Sequence, residues 1–430
     1  MNSNATAIAI MSRTPREDAM NASVKPPQSP ADASLIESFE ALRASGVAPA
    51  QEEAFARFVS KGLPGRRIEA WHYTDLRTQL KRAPLPARAG VAAEVAGSGD
   101  LVFVDGALVG EPQAPQGVSI ERATSGRRLA TPVIDEDDAS IALARAFSRE
   151  TITIRVEAKA KCSLRFVFQN AEMAATSAAH IIVQVGAGAS LTLIESHDSA
   201  AGEGHLAQAL MEFDVGEESK VNYIRVNSLD AAASCVTTLG VDLSARAQFD
   251  TLSLITGAAL SRHQIFVRFS GEHAKASICG ATLVRGRQHA DTTIIINHAA
   301  AHGESREVYK TIVDDEATGV FQGRINVAPG AQKTDARMSS NAMLLAEGAA
   351  MYNKPELEIF ADDVQCAHGA TCGELDDDLL FYIMARGLPR REAEAMLLEA
   401  FVAPAFDGVE DEDMRETLME RVRGWLAQRK

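Results

Sequence analysis

The stretch "VGAGASLTL", Val185 to Leu193, is one of a set. A short turn of small residues leading into alternating apolar positions recurs as "VEAKAKCSL" from Val156, "VGEESKVNY" from Val215, "LSARAQFDT" from Leu243, "FSGEHAKAS" from Phe269 and "VAPGAQKTD" from Val327. The steps between starting residues are 29, 30, 28, 26 and then 58, twice 29, and a matching turn fits near His298 in "NHAAAHGES". A period near 28 with strands in each unit is the pattern of a parallel β-helix, where each coil leaves an apolar row that only the next coil covers. A sandwich or barrel would place hairpin turns about every 8 to 12 residues and favour Asn-Gly or Asp-Gly. Neither dipeptide is prominent at these turns, so the repeat is read as a solenoid.

Strand follows strand from about Thr151 to Asp363. In "TITIRVEAKAKCSLRFVF", Ile152, Ile154 and Val156, then Leu164, Phe166 and Phe168, alternate with polar or smaller residues, the period of a strand with one buried face. "ASLTLIES", "SKVNYIRV", "AQFDTLSLI" and "QIFVRF" continue the style, and the shortage of amphipathic helices between them disfavours a βαβ sheet. The expected fold is mainly β, a parallel β-helix over 151–373, flanked by a helical region with first strands at 34–150 and a C-terminal helical domain at 374–430. Residues 1–33, rich in Ser, Asn, Pro and Ala and without the apolar core of a secretion signal, read as a disordered tail.

In the N-terminal region Leu35, Ile36, Phe39 and Leu42 share one helix face, and Phe55, Phe58 and Val59 another. "DEDD", Asp135 to Asp138, suits the N-terminus of a further helix. Trp71 beside His72 and Tyr73 reads as a packing anchor, since large aromatic side chains bury. After Glu374, Leu379, Leu380 and Ile383 begin a helix closed by Gly387. Ala393, Met396, Leu397, Ala400 and Phe401 form the stripe of the next, and a last helix runs from the acidic Glu410–Asp413 segment to Trp425. These helices are expected to pack on one another and to cap the end of the solenoid.

The chain of 430 residues, 46% hydrophobic and 23% charged, is an ordinary globular composition. A formal charge of -15 argues against nucleic acid or an anionic membrane as partner, because phosphate binding needs clustered Lys and Arg. No run approaches the roughly 18 apolar residues of a membrane-spanning helix. Five cysteines, an odd number with no CxxC pair, suit a reducing cytosol and leave thiols free for chemistry.

The Walker, Gly-x-Ser-x-Gly and His-Glu-x-x-His signatures are missing, which leaves "ADDVQCAHGATCGEL", Ala361 to Leu375, as the main chemical feature. Cys366 and His368 are two apart, so on a strand both face one side and can meet one soft metal or sulfur species. Two ligands do not complete a site. Cys372 is not placed without knowing the turn at Gly369. The plainer reading competes throughout: cysteines bury, and a single histidine is more often a hydrogen-bonded residue than a ligand. For His298 with His302, and for Asp362 with Asp363, the plainer reading is stronger still.

"GLPGRRIEAWHYTDL" (62–76), "VFQGRINVAPGAQKTDARMSSNAMLL" (320–345) and the segment from Pro355 to Val402 together resemble the SufB/SufD family of iron-sulfur cluster assembly proteins. The likeness runs from about residue 35 to the C-terminus. It is closer to the SufD branch, through Trp71, Tyr73 and Thr74 and through the Cys-x-His-Gly-Ala-Thr run from Cys366 to Thr371. Where SufB carries its essential cysteine, this chain has Ala349 and Ala350 in "LLAEGAAMYNKPELEI".

The resemblance implies a cytoplasmic, non-catalytic scaffold subunit that pairs with SufB through the β-helices and binds the SufC ATPase through its C-terminal helices. A cysteine desulfurase system would be an indirect partner, and a homodimer is possible in isolation. It implies a transient iron or nascent cluster shared with SufB at the interface, no tightly bound cofactor, and His368 with Cys366 as metal-site residues. Cys372 matches no family position. The rival readings are a β-helix polysaccharide lyase or hydrolase, which needs a cleft of paired carboxylates, and a self-associating structural solenoid.

Overall fold

The computed structural model describes residues 29–87, 100–124, 132–135, 137–172, 174–198 and 204–429. The expected tail lies outside these residues except at 29–33, where a helix has already begun.

Helices α1 (Pro30–Ala44), α2 (Pro49–Lys61), α3 (Leu76–Gln79) and α4 (Ala139–Phe147) form the N-terminal region. Ser29 and Asp32 cap α1 reciprocally, each side chain meeting the other's backbone N–H. The Asp138 carboxylate accepts from the Ser140 N–H at 2.7 Å and so starts α4 directly behind the acidic run. Between these helices lie β1 (Asp100–Val104), β2 (Ala107–Leu108) and β3 (Val118–Thr124).

The solenoid strands are β4 (Glu150–Val156), β5 (Lys161–Gln169), β6 (Thr176–Val185), β7 (Ser190–His197), β8 (Leu206–Val215), β9 (Lys220–Asn227), β10 (Ser234–Leu243) and β11 (Gln248–Ile255). They continue as β12 (Leu260–Phe269), β13 (Lys275–Val284), β14 (His289–His298), β15 (Glu304–Val313), β16 (Thr318–Val327), β17 (Asp335–Leu344), β18 (Ala350–Ile359) and β19 (Gln365–Gly373). Even-numbered strands from β4 to β18 build one parallel sheet, and odd-numbered strands from β5 to β19 build the other. The result is a parallel β-helix of about seven turns with helices at both termini.

The repeat read from the sequence is the register of the first sheet. Val156 pairs with Val185, and the column continues through Val215, Leu243, Phe269, His298 and Val327, so the turn placed at His298 occupies its rung. Each of these turns holds one residue in the left-handed region: Lys159, Gly188, Glu218, Arg246, His273, His302 and Lys333. Its N–H donates to a carbonyl of the next coil, as Arg246 does to Glu272 at 2.9 Å. The ladder of backbone bonds therefore runs unbroken around the corner. At Gly271 a Cβ would stand 2.0 Å from the Ala245 nitrogen, so only glycine lets the coils approach there.

Inside, apolar rows stack coil on coil, among them Leu191, Val221 and Phe249, with each fully buried Leu or Phe contributing about 1.5–3 kcal/mol. The outer face of the first sheet is covered by α1 to α4, whose Phe39, Phe55, Phe58 and Phe147 pack with Leu206, Val236 and Leu260. Central strands such as β6 and β12 are thus buried on both faces, which is why His180, Arg262 and Gln264 are inaccessible despite their polarity. Trp71 is an anchor as read: it is buried, its Nε1 donates to Asp138 at 3.1 Å, and the Arg262 guanidinium stacks 3.7 Å from its ring centre.

The C-terminal helices α5 (Asp377–Met384), α6 (Arg390–Val402) and α7 (Glu412–Ala427) do not cap the solenoid, contrary to expectation. Leu398, Val402, Phe406, Leu418, Val422 and Trp425 pack on the flank of the second sheet, against Ile224, Leu252, Cys279 and Ile312. One stripe of outward positions on β9, β11, β13 and β15, which includes Ile224, Leu252, Cys279 and Ile312, is apolar, and that stripe draws the helices sideways. On α6 the buried residues are Ala393, Leu398 and Val402, while Met396 faces solvent, so the stripe lies one residue from where it was read.

The two ends of the solenoid differ. At the first, β3 runs antiparallel to β4 and the β1–β2 hairpin joins β5. At the other, β18 and β19 are edge strands, and no later strand among the described residues covers them.

Candidate functional site

The last coil exposes what earlier coils bury. Cys366 pairs in register with Ala336 and His368 with Met338, both buried in the solenoid interior. Alternation therefore turns Cys366 and His368 toward the inner face, and Cys366 packs partly against that core. No coil follows in the described residues, so Cys366 is half-buried and His368 exposed. Around them Leu357 is half-buried, and Ile359 and Phe360 are exposed, an unfinished core open to solvent.

The strand runs straight through Gly369, which settles the place of Cys372. It shares the inward row, but at ~3.3 Å per residue it stands roughly 13 Å beyond His368 and roughly 20 Å beyond Cys366. Metal–thiolate bonds of about 2.3 Å cannot bridge that separation, so the three residues do not form one ligand set. Among the described residues no three His, Cys, Asp or Glu side chains converge as a metal-binding group. Cys366 and His368 are two ligands on one edge strand. Asp362 and Asp363 are exposed in the turn before β19, where Asp363 forms an ion pair with Lys333.

Burial pushes the Cys366 thiol up from its ordinary pKa; a backbone hydrogen bond at Ala336 opposes the shift, and Asp335 and Glu307 reinforce it. The thiol thus holds its proton in the free chain and must lose it when a cation arrives, so ligation and proton release are coupled.

Glu307 lies in the inward row of His368, two coils beneath it with Met338 between. Burial raises its pKa to about 8, offset only in part by Ser305 and Arg306. It is a neutral acid at neutral pH. Deeper still, Glu195 is buried with His197 Nε2 at 2.6 Å, accepts from the Tyr223 hydroxyl at 2.6 Å and from Arg225 Nε at 3.2 Å, and Arg225 Nη2 stands 3.7 Å from Cys235 Sγ. Burial opposes its ionisation, yet His197 and Arg225 hold its carboxyl down at about 2. Sequence reading passed over these inward polar groups, because alternation alone assigns charged positions to the outside.

His298 and His302, neighbours in sequence, are separated by the turn. His298 is buried against Phe269 at 4.1 Å with Nε2 3.2 Å from Ser305 Oγ, and His302 is on the surface. A cleft of about 220 Å³ between the second sheet and the C-terminal segment is lined in part by Asp250, Glu410 and Asp411. The Asp250 carboxylate accepts from Gln248 at 2.6 Å, and burial raises its pKa.

A family model described as the SufBD core domain of the SUF system for FeS cluster assembly matches residues 166–401, more than half of the chain. The chain belongs to the SufB/SufD family. The iron-sulfur cluster assembly protein SufD of Escherichia coli (strain K12) is 27% identical over 388 residues, 87% of this chain and 92% of that protein. An iron-sulfur cluster assembly SufBD family protein of Synechocystis is 28% identical over 384 residues, 81% of this chain and 84% of its own length. SufD of Bacillus subtilis is 26% identical over 246 residues, 56% of this chain and 55% of that protein. Within the family the chain is most like SufD. Family membership places it in iron-sulfur cluster assembly rather than carbohydrate chemistry. Among the described residues no helix is long and apolar enough to cross a membrane.

Proposed function

We propose that the chain is a SufD-type, non-catalytic scaffold subunit of a cytoplasmic SufBCD complex, and that its open last coil pairs with SufB to make the cluster assembly site. The observation that carries this reading is the uncovered inner face of β19, with Cys366 and His368 beside the inward apolar Leu357 and Ile359 of β18. Such an end lowers its free energy when another β-helix continues the core. Thiolate and imidazole both suit iron, and an incomplete ligand set shared across an interface holds a nascent cluster yet releases it to an acceptor. Iron and sulfide are cargo in this scheme, with no resident cofactor in the chain. SufC docks on the C-terminal helices, where Leu379, Phe381, Tyr382, Met384 and Met396 are exposed without apolar cover.

Co-expression with SufB and SufC, anaerobic purification and measurement of bound iron and sulfide test the reading. His368→Ala is expected to leave the complex intact and to lower cluster loading severalfold, and Cys366→Ala less so. An intact complex with unchanged loading removes His368 from the site. Failure of the wild-type chain to join SufB and SufC removes the assignment itself.

A further inference from the structure

The cleft of about 220 Å³ between the second sheet and the C-terminal segment has a floor of two neighbouring columns. Thr192, Asn222, Asp250 and Ser277 stand in register on β7, β9, β11 and β13, and two residues further along the same strands stand Ile194, Ile224, Leu252 and Cys279. Side chains two apart share one face of a strand, so both columns turn outward, one polar and one apolar. Ala405, Gly408, Val409 and Met414 line the other side. Gly408 stands close over the floor, where an added Cβ would lie 3.8 Å from Ser277 Oγ. Of the four polar residues only Asp250 is charged. Gln248 Nε2 donates to its Oδ2 at 2.6 Å, and among the described residues no cation pairs with it. Lys220, whose charge is felt at Asp250, is engaged by Glu410 at 2.7 Å.

We propose that this cleft binds a small organic ammonium ion with an apolar body, a primary alkylamine or arylalkylamine, its charge on Asp250 and its body along Ile224, Leu252 and Cys279. A carboxylate open to a cleft and without a counter-ion selects a cation, and charge-assisted hydrogen bonds are about twice as strong as neutral ones. Asn222 and Ser277 flank Asp250 in register and offer acceptors for the remaining ammonium protons. Glu410 and Asp411 also line the cleft, so the surrounding field repels an anionic ligand. Burial raises the Asp250 pKa and Glu410 adds to the shift, and a bound ammonium supplies the opposing charge. The apolar column selects for the body, since a bare hydrated ion leaves it uncovered. The volume lies below the roughly 300–1,000 Å³ of pockets that take drug-sized ligands, so the ligand is small. The cleft shares no residue with the last coil, and the proposal does not depend on pairing with SufB.

Methyl NMR titration of the full chain with phenethylammonium tests it. Saturable shifts are expected at the methyl groups of Ile194, Ile224 and Leu252. Methylammonium, which has the charge without the body, and phenethyl alcohol, which has the body without the charge, should each bind at least ~10-fold more weakly. Asp250→Asn should weaken phenethylammonium at least ~10-fold, the effect of losing one hydrogen bond to a charged group, and leave phenethyl alcohol unchanged. Gly408→Phe puts a ring into the cleft and should abolish binding in a chain whose spectrum is otherwise unchanged; it decides alone if Asp250→Asn does not fold. No saturable shift at these methyls, saturation confined to other methyls, or phenethylammonium affinity unchanged in Asp250→Asn or in Gly408→Phe overturns the proposal.

Discussion

Glu307 shows how the interior converts a single side chain into a pH-dependent contribution to stability. Its folded-state pKa of about 8 stands above the ordinary carboxyl value of 4.5, so between those values the folded chain holds a proton that the unfolded chain has released. Stability from this group is present at low pH and falls as pH rises toward 8, by about 1.4 kcal/mol per pH unit. Denaturant titrations between pH 6 and 8 should therefore show a shallower decline for Glu307→Gln than for the wild type; equal slopes would contradict the burial argument. Glu195 acts in the opposite sense: held near 2, its pairing contributes above the ordinary carboxyl range and is lost as pH falls toward 2. Neither residue was legible in the sequence. In "ESREVYK" the inward residues are Ser305, Glu307 and Tyr309, while Val308 faces out beneath the C-terminal helices, so a rule that apolar means inside inverts the strand. Cys366 and His368 were legible as a pair because a strand alternates strictly; Cys372 was not, because its place depended on the strand continuing through Gly369.

The segment from Glu69 to Thr74 is fastened to the outer face of β12 and β14 by one buried network. Arg262 is paired with Asp291, stacks on Trp71 and donates to Ala70 O at 2.7 Å, while the Thr74 hydroxyl meets Asp291 and lies 2.9 Å from His289 Nε2. Arg262→Met leaves Asp291 charged and unpaired in the interior, and urea unfolding should show a loss of about 3–5 kcal/mol. Adding Asp291→Leu should recover part of that loss, because the uncompensated charge is then gone. A single variant as stable as the wild type would mean that the network contributes nothing to holding the region. Helix existence was readable from caps and periodicity, but the buried side of α6 was not. Met396, Leu397 and Leu398 are consecutive, so periodicity alone cannot choose among them, and the apolar flank of the second sheet makes the choice.

At the scale of the molecule the period near 28 carried the architecture, because each coil repeats one turn geometry and the pairing keeps that geometry in register. The placement of the C-terminal helices was not available from pattern, since it depends on outward positions that a single strand does not distinguish from inward ones. If the last coil is the pairing surface, Phe360→Asp, at a side chain 66% exposed, should abolish co-purification with SufB while leaving the thermal unfolding midpoint of the free chain within about 2 °C. Retention of the complex would move the interface elsewhere. The unequal ends also bear on how far such assembly can go. Among the described residues the inward row of the first end is buried, Leu101 and Phe103 included, while that of the last coil is open, so two last coils that meet cover each other's rows and the contact terminates as a pair instead of propagating into a fibre.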